Sequence, residues 1–263
     1  MPSDLLLLTP DTTDPYLNLA REEHLIKHTS PSVLMLWSNS PAIIVGRNQA
    51  TANQLNRAYV DEHNIAVVRR LSGGGAVYHD AGNLNFTVIL RDGAHHNNDF
   101  DFFTRPLLEL LNEHGVPAEF SGRNDLLVEG KKFSGNAQYR YGTTLLHHGT
   151  ILWESDLSAL ADALKPKVRT QARGVDSHEA RVTNLAPYLP GLSLARFAEE
   201  LGETMSSSRA AAVLEHELLT VPAALIEKYR SDRWNWDNID TNIDTSTGAP
   251  IGTNEGQSFP ASC

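Results

Sequence analysis

The densest chemistry in the chain lies between Arg69 and Arg91. Arg69 and Arg70 lead into Gly73-Gly74-Gly75, and a strand-like alternating run follows. Consecutive glycines cost chain entropy, so a folded domain keeps them where backbone turns sharply or approaches something closely. Amides in such a turn form a concavity that suits an anion, and Arg70 beside them supplies full charge. Taken alone, three glycines read more simply as a glycine-rich hairpin with two surface arginines. Arg69, Arg70, His79 and Asn83 around them shift the reading toward a ligand site.

A second block, Gly122-Arg123-Asn124-Asp125 followed by Gly130-Lys131-Lys132-Phe133-Ser134-Gly135-Asn136-Ala137, carries the other candidate group. If Lys131 to Arg140 is a strand, alternation puts Lys132, Ser134, Asn136 and Gln138 on one face, with Lys131 and Phe133 on the other. A lysine among small and amide side chains has room to hold an anionic oxygen through charge-assisted hydrogen bonds. The plainer alternative is an exposed strand lysine. Other chemistries lack their residues. There is no Gly-x-x-x-x-Gly-Lys-Ser/Thr loop, no lipase elbow and no His-Glu-x-x-His, and Tyr78 stands where a dinucleotide fingerprint needs its last glycine. Cysteine-dependent acyl transfer is disfavoured because the single cysteine is Cys263. His95 and His96 have no third ligand nearby and read as a solvated loop.

With 263 residues, 41% hydrophobic and 21% charged, the chain can bury a sizeable core without disulfide or metal staples. Net charge of −10 argues against nucleic acid or an anionic membrane as partner. Basic residues are nevertheless concentrated at Arg69–Arg70 and at Arg123, Lys131, Lys132 and Arg140, which suggests a small anionic ligand. No apolar stretch approaches the length of a membrane span, and residues 1–10 lack a basic start and cleavage site. A cytoplasmic enzyme is expected.

The elements that position these groups follow from capping and periodicity. Leu5-Leu6-Leu7-Leu8 reads as a first strand. Asp14 can cap, and Pro15 open, a helix over Tyr16 to His28 with a stripe of Tyr16, Leu19, Ala20, Glu23, Leu25 and Ile26. Val33 to Trp37 and Ala42 to Gly46 read as strands joined by turn residues, and 51–63 as a helix. Ile65 to Arg69 is a strand into the glycine turn. A helix from about Phe102 to His114 stops at Gly115. Strands at Asp125–Val128, Lys131–Arg140 and Leu145–Trp153 come next, then a helix capped by Ser155. Two or three helices occupy 193–230, with Pro222 suited to a helix start. Strands that follow one another directly imply a mixed or antiparallel sheet with helices packed on it.

Four ordered blocks resemble the lipoate–protein ligase family: Arg69 to Asn83, Asn124 to Ala137, His148-Gly149-Thr150 and Arg181-Val182-Thr183-Asn184-Leu185. The resemblance implies an α/β (α+β) fold, a mixed, largely antiparallel sheet flanked by helices, like the catalytic domains of class II synthetases and biotin/lipoate ligases. It implies a ligase that activates lipoate with ATP and Mg2+ to lipoyl-AMP, then transfers the lipoyl group to an acceptor lysine. By similarity, Lys132 would be catalytic and bridge the lipoyl carboxylate and α-phosphate. Arg70 with Gly75, Ala76, Val77 and Tyr78 would hold the nucleotide, and Asn83 would reach phosphate or ribose. Arg70, Ser72, Gly73, Gly74, His79, Arg140 and His148 would line or support the lipoate tunnel, and Asp125 would be a magnesium ligand. Expected partners are lipoyl domains of 2-oxoacid dehydrogenase E2 subunits or the glycine cleavage H protein, with no nucleic acid or membrane.

Many family members carry a C-terminal accessory domain, and some relatives supply it as a separate protein. Here residues 1–235 are expected to form the catalytic domain and 236–263 a low-complexity acidic tail, disordered, in a form without that domain. A separate accessory subunit is then an expected partner, and Asp237 stands where the family usually has glycine. Two alternatives stay open: an ATP-independent octanoyl or lipoyl transferase of the same superfamily, and a non-catalytic lipoate-binding module.

Overall fold

The computed structural model describes residues 5–165, 181–206, 208–209, 212–237, 243–244 and 249–250. In chain order the strands are β1 (Leu6–Leu8), β2 (Val33–Trp37), β3 (Ala42–Val45), β4 (Ala66–Arg69), β5 (Val77–His79), β6 (Asn83–Leu90), β7 (Ala118–Phe120), β8 (Asp125–Val128), β9 (Lys131–Tyr141), β10 (Thr144–Leu152), β11 (Ser208–Arg209), β12 (Ile243–Asp244) and β13 (Ala249–Pro250). Eight of them form one sheet in the order β11-β1-β2-β6-β10-β9-β8-β7, β4-β3-β5 form a second, and β12 pairs antiparallel with β13. In the large sheet β1 is parallel to β2 and β11, and every other pair is antiparallel. The mixed, largely antiparallel sheet is thus as expected. The two expected strands β2 and β3 are joined by a turn, and they enter different sheets. The turn between them is fixed from α1 (Pro15–His28), where the buried Asn18 side chain donates to Ser38 O at 3.2 Å and Asn39 Oδ1 at 3.0 Å.

The other helices are α2 (Arg57–Glu62), α3 (Phe100–Glu113), α4 (Leu157–Ala163), α5 (Leu194–Met205), α6 (Ala212–Leu219), α7 (Ala223–Arg230) and α8 (Asp232–Asn235). Helices α3 and α5 cover one face of the large sheet through Phe103, Leu107, Phe197 and Leu201 against Phe86, Val88 and Phe133. Helix α1 packs its Leu19, Leu25 and Ile26 between that sheet's other face and the small sheet, against Met35, Ile44 and Val68. Alternation along β3 sends Ile43 and Val45 the opposite way, into a third core with Leu55, Val60 and Ala163. Every residue of β6 is buried because both of its faces are covered.

Caps explain the helix starts. Asp14 accepts from the Tyr16 amide at 2.9 Å, with Pro15 in the first turn of α1, as expected. Asp99 accepts from the Phe102 amide, so α3 starts two residues earlier than its periodicity suggests. Gly115 then takes φ +78 beyond its end. Asp156, not Ser155, caps α4, accepting at 2.9 Å from Ser158 and Ala159. The stretch 51–63 divides into a single 3-10 turn and α2, because Asn56 is extended between them. Three helices span 194–230, and Pro222 precedes α7. No helix among the described residues is long and apolar enough to cross a membrane. The tail over 236–263 lies largely outside the described residues.

Candidate active site

Lys132 reaches a cavity because β9 contains a bulge. Leu126 pairs with Ser134 but Leu127 pairs with Lys132, so Phe133 is an extra residue without a partner on β8. A bulge resets the alternation of side chains beyond it. Phe133 is fully buried in the α3 core, and Lys132 comes to line a cavity with Gly135, Asn136 and Ala137. Of the four residues expected to share one face, Lys132 and Asn136 line the cavity, while Ser134 and Gln138 do not. Asn136 and Gln138 grip His147, each at 3.2 Å, and His147 stacks on Phe103 of α3 at 4.6 Å. Burial holds His147 well below the ordinary histidine value, so it stays neutral. The Lys132 ammonium lies 2.8 Å from Asp125 Oδ1. A Cβ on Gly135 would come within 2.8 Å of Lys132 Nζ, so this glycine is the notch the lysine crosses.

The glycine turn joins β4 to β5. Gly74 has φ +90, where a side chain is strained, and its carbonyl oxygen lies 2.1 Å from where a Cβ on Gly46 would stand. Arg70 sets the turn's shape from inside. Its guanidinium donates to Ile44 O at 3.0 Å, Gly73 O at 2.6 Å, Gly75 O at 2.8 Å and Ser72 Oγ at 3.0 Å. Burial lowers its pKa to about 10, while Glu22 opposes that shift. Arg70 thus spends its donors on the turn and offers the cavity positive potential and a fixed loop. Arg69 is fully buried and does not line the cavity. It donates to Trp234 O, Gly46 O and Gln49 O, bolting α8 to the end of β3.

Behind the turn runs a buried hydrogen-bond relay. Ser72 Oγ, which accepts from Arg70, lies 2.6 Å from His148 Nε2, and His148 Nδ1 lies 2.9 Å from Glu22 Oε1. Thr87 Oγ1 donates to the same Glu22 oxygen at 2.6 Å and accepts from Trp37 Nε1 at 2.9 Å. Serine, histidine and carboxylate in this order resemble a nucleophilic triad. Ser72, however, is buried, does not line the cavity and already accepts from a guanidinium. The relay therefore ties α1, β6 and β10 to the turn and does not present a nucleophile.

The cavity is about 470 Å³, within the range of small-molecule sites. Of the expected residues it brings together Arg70, Gly74, Gly75, Ala76, Val77, His79, Asp125, Lys132 and His148. Ser72 and Gly73 stand just behind the lining, bonded to Arg70. Tyr78 points into the third core instead, and burial pushes its hydroxyl up to about 12. Asn83 is buried one step away, donating to Asn85 Oδ1 at 2.9 Å. Arg140 is exposed near the far end of β9, opposite Leu145, and is not part of the lining.

Sequence reasoning missed Asn85, although it follows Asn83 by the two-residue period that keeps a strand face. It also missed Leu19, Trp37 and Ile44, which with the expected Val77 form a wall that belongs to the core under α1. That apolar wall suits a hydrocarbon chain. Opposite chemistry comes from His79 Nε2 and Asn85 Nδ2, buried atoms without a partner among the described residues. Burial first, then Arg70 and His148, lowers the His79 pKa to about 3, so its ring is neutral. The described residues contain no cluster of three or more histidine, cysteine or carboxylate groups fit for a metal. Among the described residues Asp125 is the one carboxylate on the lining, and it is already paired with Lys132, so these residues do not form a magnesium cage.

An elongated apolar acid and a phosphate ester would both find partners here, and comparison with known proteins agrees. The lipoyl protein ligase A/B catalytic domain model matches residues 14–206. Lipoate–protein ligase LplJ of Bacillus subtilis is 37% identical over 260 residues, covering 95% of this chain and 78% of that protein. Lipoate–protein ligase 1 of Staphylococcus aureus is 40% identical over 231 residues, 85% of this chain and 70% of that protein. The crystal structure of P. falciparum LipL1 in complex with lipoate matches with a TM-score of 0.73 at 25% identity, over 88% of this chain and 74% of that one. With a bulge-borne lysine and a glycine turn on one cavity, and with these relatives, the chain belongs to the lipoate–protein ligase family.

Proposed function

We propose that this cavity joins lipoate to ATP, releases pyrophosphate, and passes the lipoyl group from the adenylate to a lysine of a lipoyl-domain protein. The observation that carries the reading is the shared lining: Lys132 and the Gly74–Val77 backbone face one cavity. In the reading, the acyl chain lies on Leu19, Trp37, Ile44 and Val77, which exclude water from the reacting carboxylate. Lys132 exchanges the Asp125 carboxylate for the acyl carboxylate and an α-phosphate oxygen, drawing the two anions together. The turn, stiffened by Arg70, holds the phosphate side, and His79 and Asn85 donate to the ligand's acceptors. In the second step the acceptor amine bonds to the acyl carbon and loses a proton, while AMP leaves with the electron pair of the broken carbon–oxygen bond. Magnesium enters with the nucleotide as part of that substrate. E2 lipoyl domains or the glycine cleavage H protein are the acceptors, and an accessory subunit assists adenylation. The reaction is set in the cytoplasm, consistent with a chain holding one cysteine.

The test is lipoate-dependent ATP–pyrophosphate exchange, run on the full chain and on Lys132→Ala. Exchange by the wild type and its loss in the variant are expected. No exchange, even with an accessory protein present, together with acyl transfer that needs no ATP, would overturn the ligase in favour of a transferase.

A further inference from the structure

We propose that Arg123 is the cation that receives the departing pyrophosphate, an inference that rests on the adenylation reading above. In that step a carboxylate oxygen bonds to the α-phosphorus. The bond from that phosphorus to the oxygen bridging the β-phosphate breaks, and its electron pair leaves on pyrophosphate. No proton moves, so the leaving end calls for positive charge with open donors.

Among the described residues, three arginine or lysine side chains line the cavity: Arg70, Lys132 and Arg123. Arg70 donates four hydrogen bonds to its own surroundings, three of them to carbonyls. Lys132 is held by Asp125 at 2.8 Å and is assigned to the acyl–phosphate junction. Arg123 is exposed and makes no hydrogen bond or ion pair with any described residue. Its base, by contrast, is fixed. Gly122 turns at φ +83, and Asn124 exchanges three hydrogen bonds with Asn136 at 2.8, 2.9 and 3.1 Å. A guanidinium with a fixed root and a free fork can close on a phosphate in bidentate fashion when the nucleotide arrives. Asp125, two residues on, holds Lys132 on the same cavity; the assignment gives Lys132 the acyl end of the reacting phosphate and Arg123 the leaving end.

Arg123 therefore belongs to the half-reaction that makes pyrophosphate and not to the one that consumes the adenylate. The experiment measures Arg123→Ala and Arg123→Lys in two assays: lipoate-dependent ATP–pyrophosphate exchange, and lipoyl transfer from chemically prepared lipoyl-adenylate to a lipoyl domain. In exchange, Arg123→Ala should raise the KM for pyrophosphate roughly 10- to 100-fold, as loss of charge-assisted hydrogen bonds would. Arg123→Lys should recover part of this, keeping charge without the fork. Transfer from the adenylate should keep its wild-type rate, which also shows that the variant is folded. An unchanged KM for pyrophosphate, or an equal loss in both assays, overturns the assignment. A wild type that transfers but never exchanges overturns the adenylation reading, and the assignment with it.

Discussion

Lys132 Nζ sits 2.8 Å from Asp125 and crosses directly over Gly135, whose absent Cβ would lie 2.8 Å from that nitrogen and 2.9 Å from Cε. Gly135 has no positive φ, so its backbone admits alanine. The added methyl meets the flexible end of a side chain, and the lysine moves while the strand does not. Gly135→Ala should therefore keep the wild-type urea midpoint. Displacing the ammonium by about 1 Å should cost on the order of 100-fold in the exchange kcat/KM. An unchanged rate would separate Lys132's position from the reaction.

Gly46 is the opposite case. Its Cβ would meet the Gly74 carbonyl oxygen at 2.1 Å, backbone against backbone, inside a turn already pinned by Arg70. Gly46→Ala should cost about 1–3 kcal/mol, as overpacking does, and show it as a lower urea midpoint. Gly73→Ala is the control. Nothing lies within 4 Å of its Cβ and its φ is not positive, so stability should stay within about 0.5 kcal/mol of wild type. Equal losses in the two variants would mean that glycine content, and not the Gly46–Gly74 contact, sets the turn.

These two glycines also show where the sequence was legible. Asp14-Pro15 before an apolar stripe, and glycines after alternating runs, express local chemistry, so α1 and the turn could be read directly. The side on which Lys132 faces could not, because it depends on an unpaired Phe133 that only the register with β8 creates. Arg70 reads as a ligand residue by charge. That its donors turn back onto Ile44, Gly73 and Gly75 is a tertiary fact. Glu23 sat in the apolar stripe of α1 as a visible clue, and Glu22 stood next to it. Glu22 accepts from Thr87 and pairs with His148, while Glu23 accepts from Lys27, Lys228 and Tyr229. Their partners come from as far as 206 residues away, beyond any local pattern.

His79 makes folding sensitive to acid. Its ordinary pKa of 6.5 falls to about 3 in the folded chain because the ring is buried beside Arg70 and His148. The unfolded chain therefore binds a proton that the folded chain refuses as pH drops below 6.5. The folded state loses about 1.4 kcal/mol per pH unit for this group between pH 6.5 and 3, and nothing above 6.5. His147 is lowered in the same direction and adds a second such proton. Urea midpoints from pH 7 to pH 4 should fall less steeply in His79→Gln than in wild type. Parallel slopes would mean that His79 is protonated in the folded state.

Arg69 should prove a stability residue despite standing beside Arg70 in the most function-rich stretch of the chain. It is fully buried, and its pKa is lowered to about 10 by burial and then by Arg47, so it remains charged at neutral pH. Carbonyl dipoles compensate it: Trp234 O at 2.9 Å, Gly46 O at 3.0 Å, Gln49 O at 2.8 Å and Asn235 O at 3.2 Å, with Thr51 Oγ1 at 2.7 Å. Return bonds run the other way, from Trp234 Nε1 to Arg69 O at 2.8 Å and from the Arg69 amide to Asn235 Oδ1 at 2.9 Å. Arg69→Met keeps the length and removes every donor, stranding buried carbonyls at about 1–3 kcal/mol for each one left unpaired. Arg69→Lys keeps the charge but cannot fork to all of them. Both variants should lose several kcal/mol in urea unfolding. In native buffer, Trp234 emission should shift to the red as α8 leaves its seat, identified by its absence in Trp234→Phe. A fully stable Arg69→Met with unaltered fluorescence would instead return Arg69 to the list of ligand-facing groups.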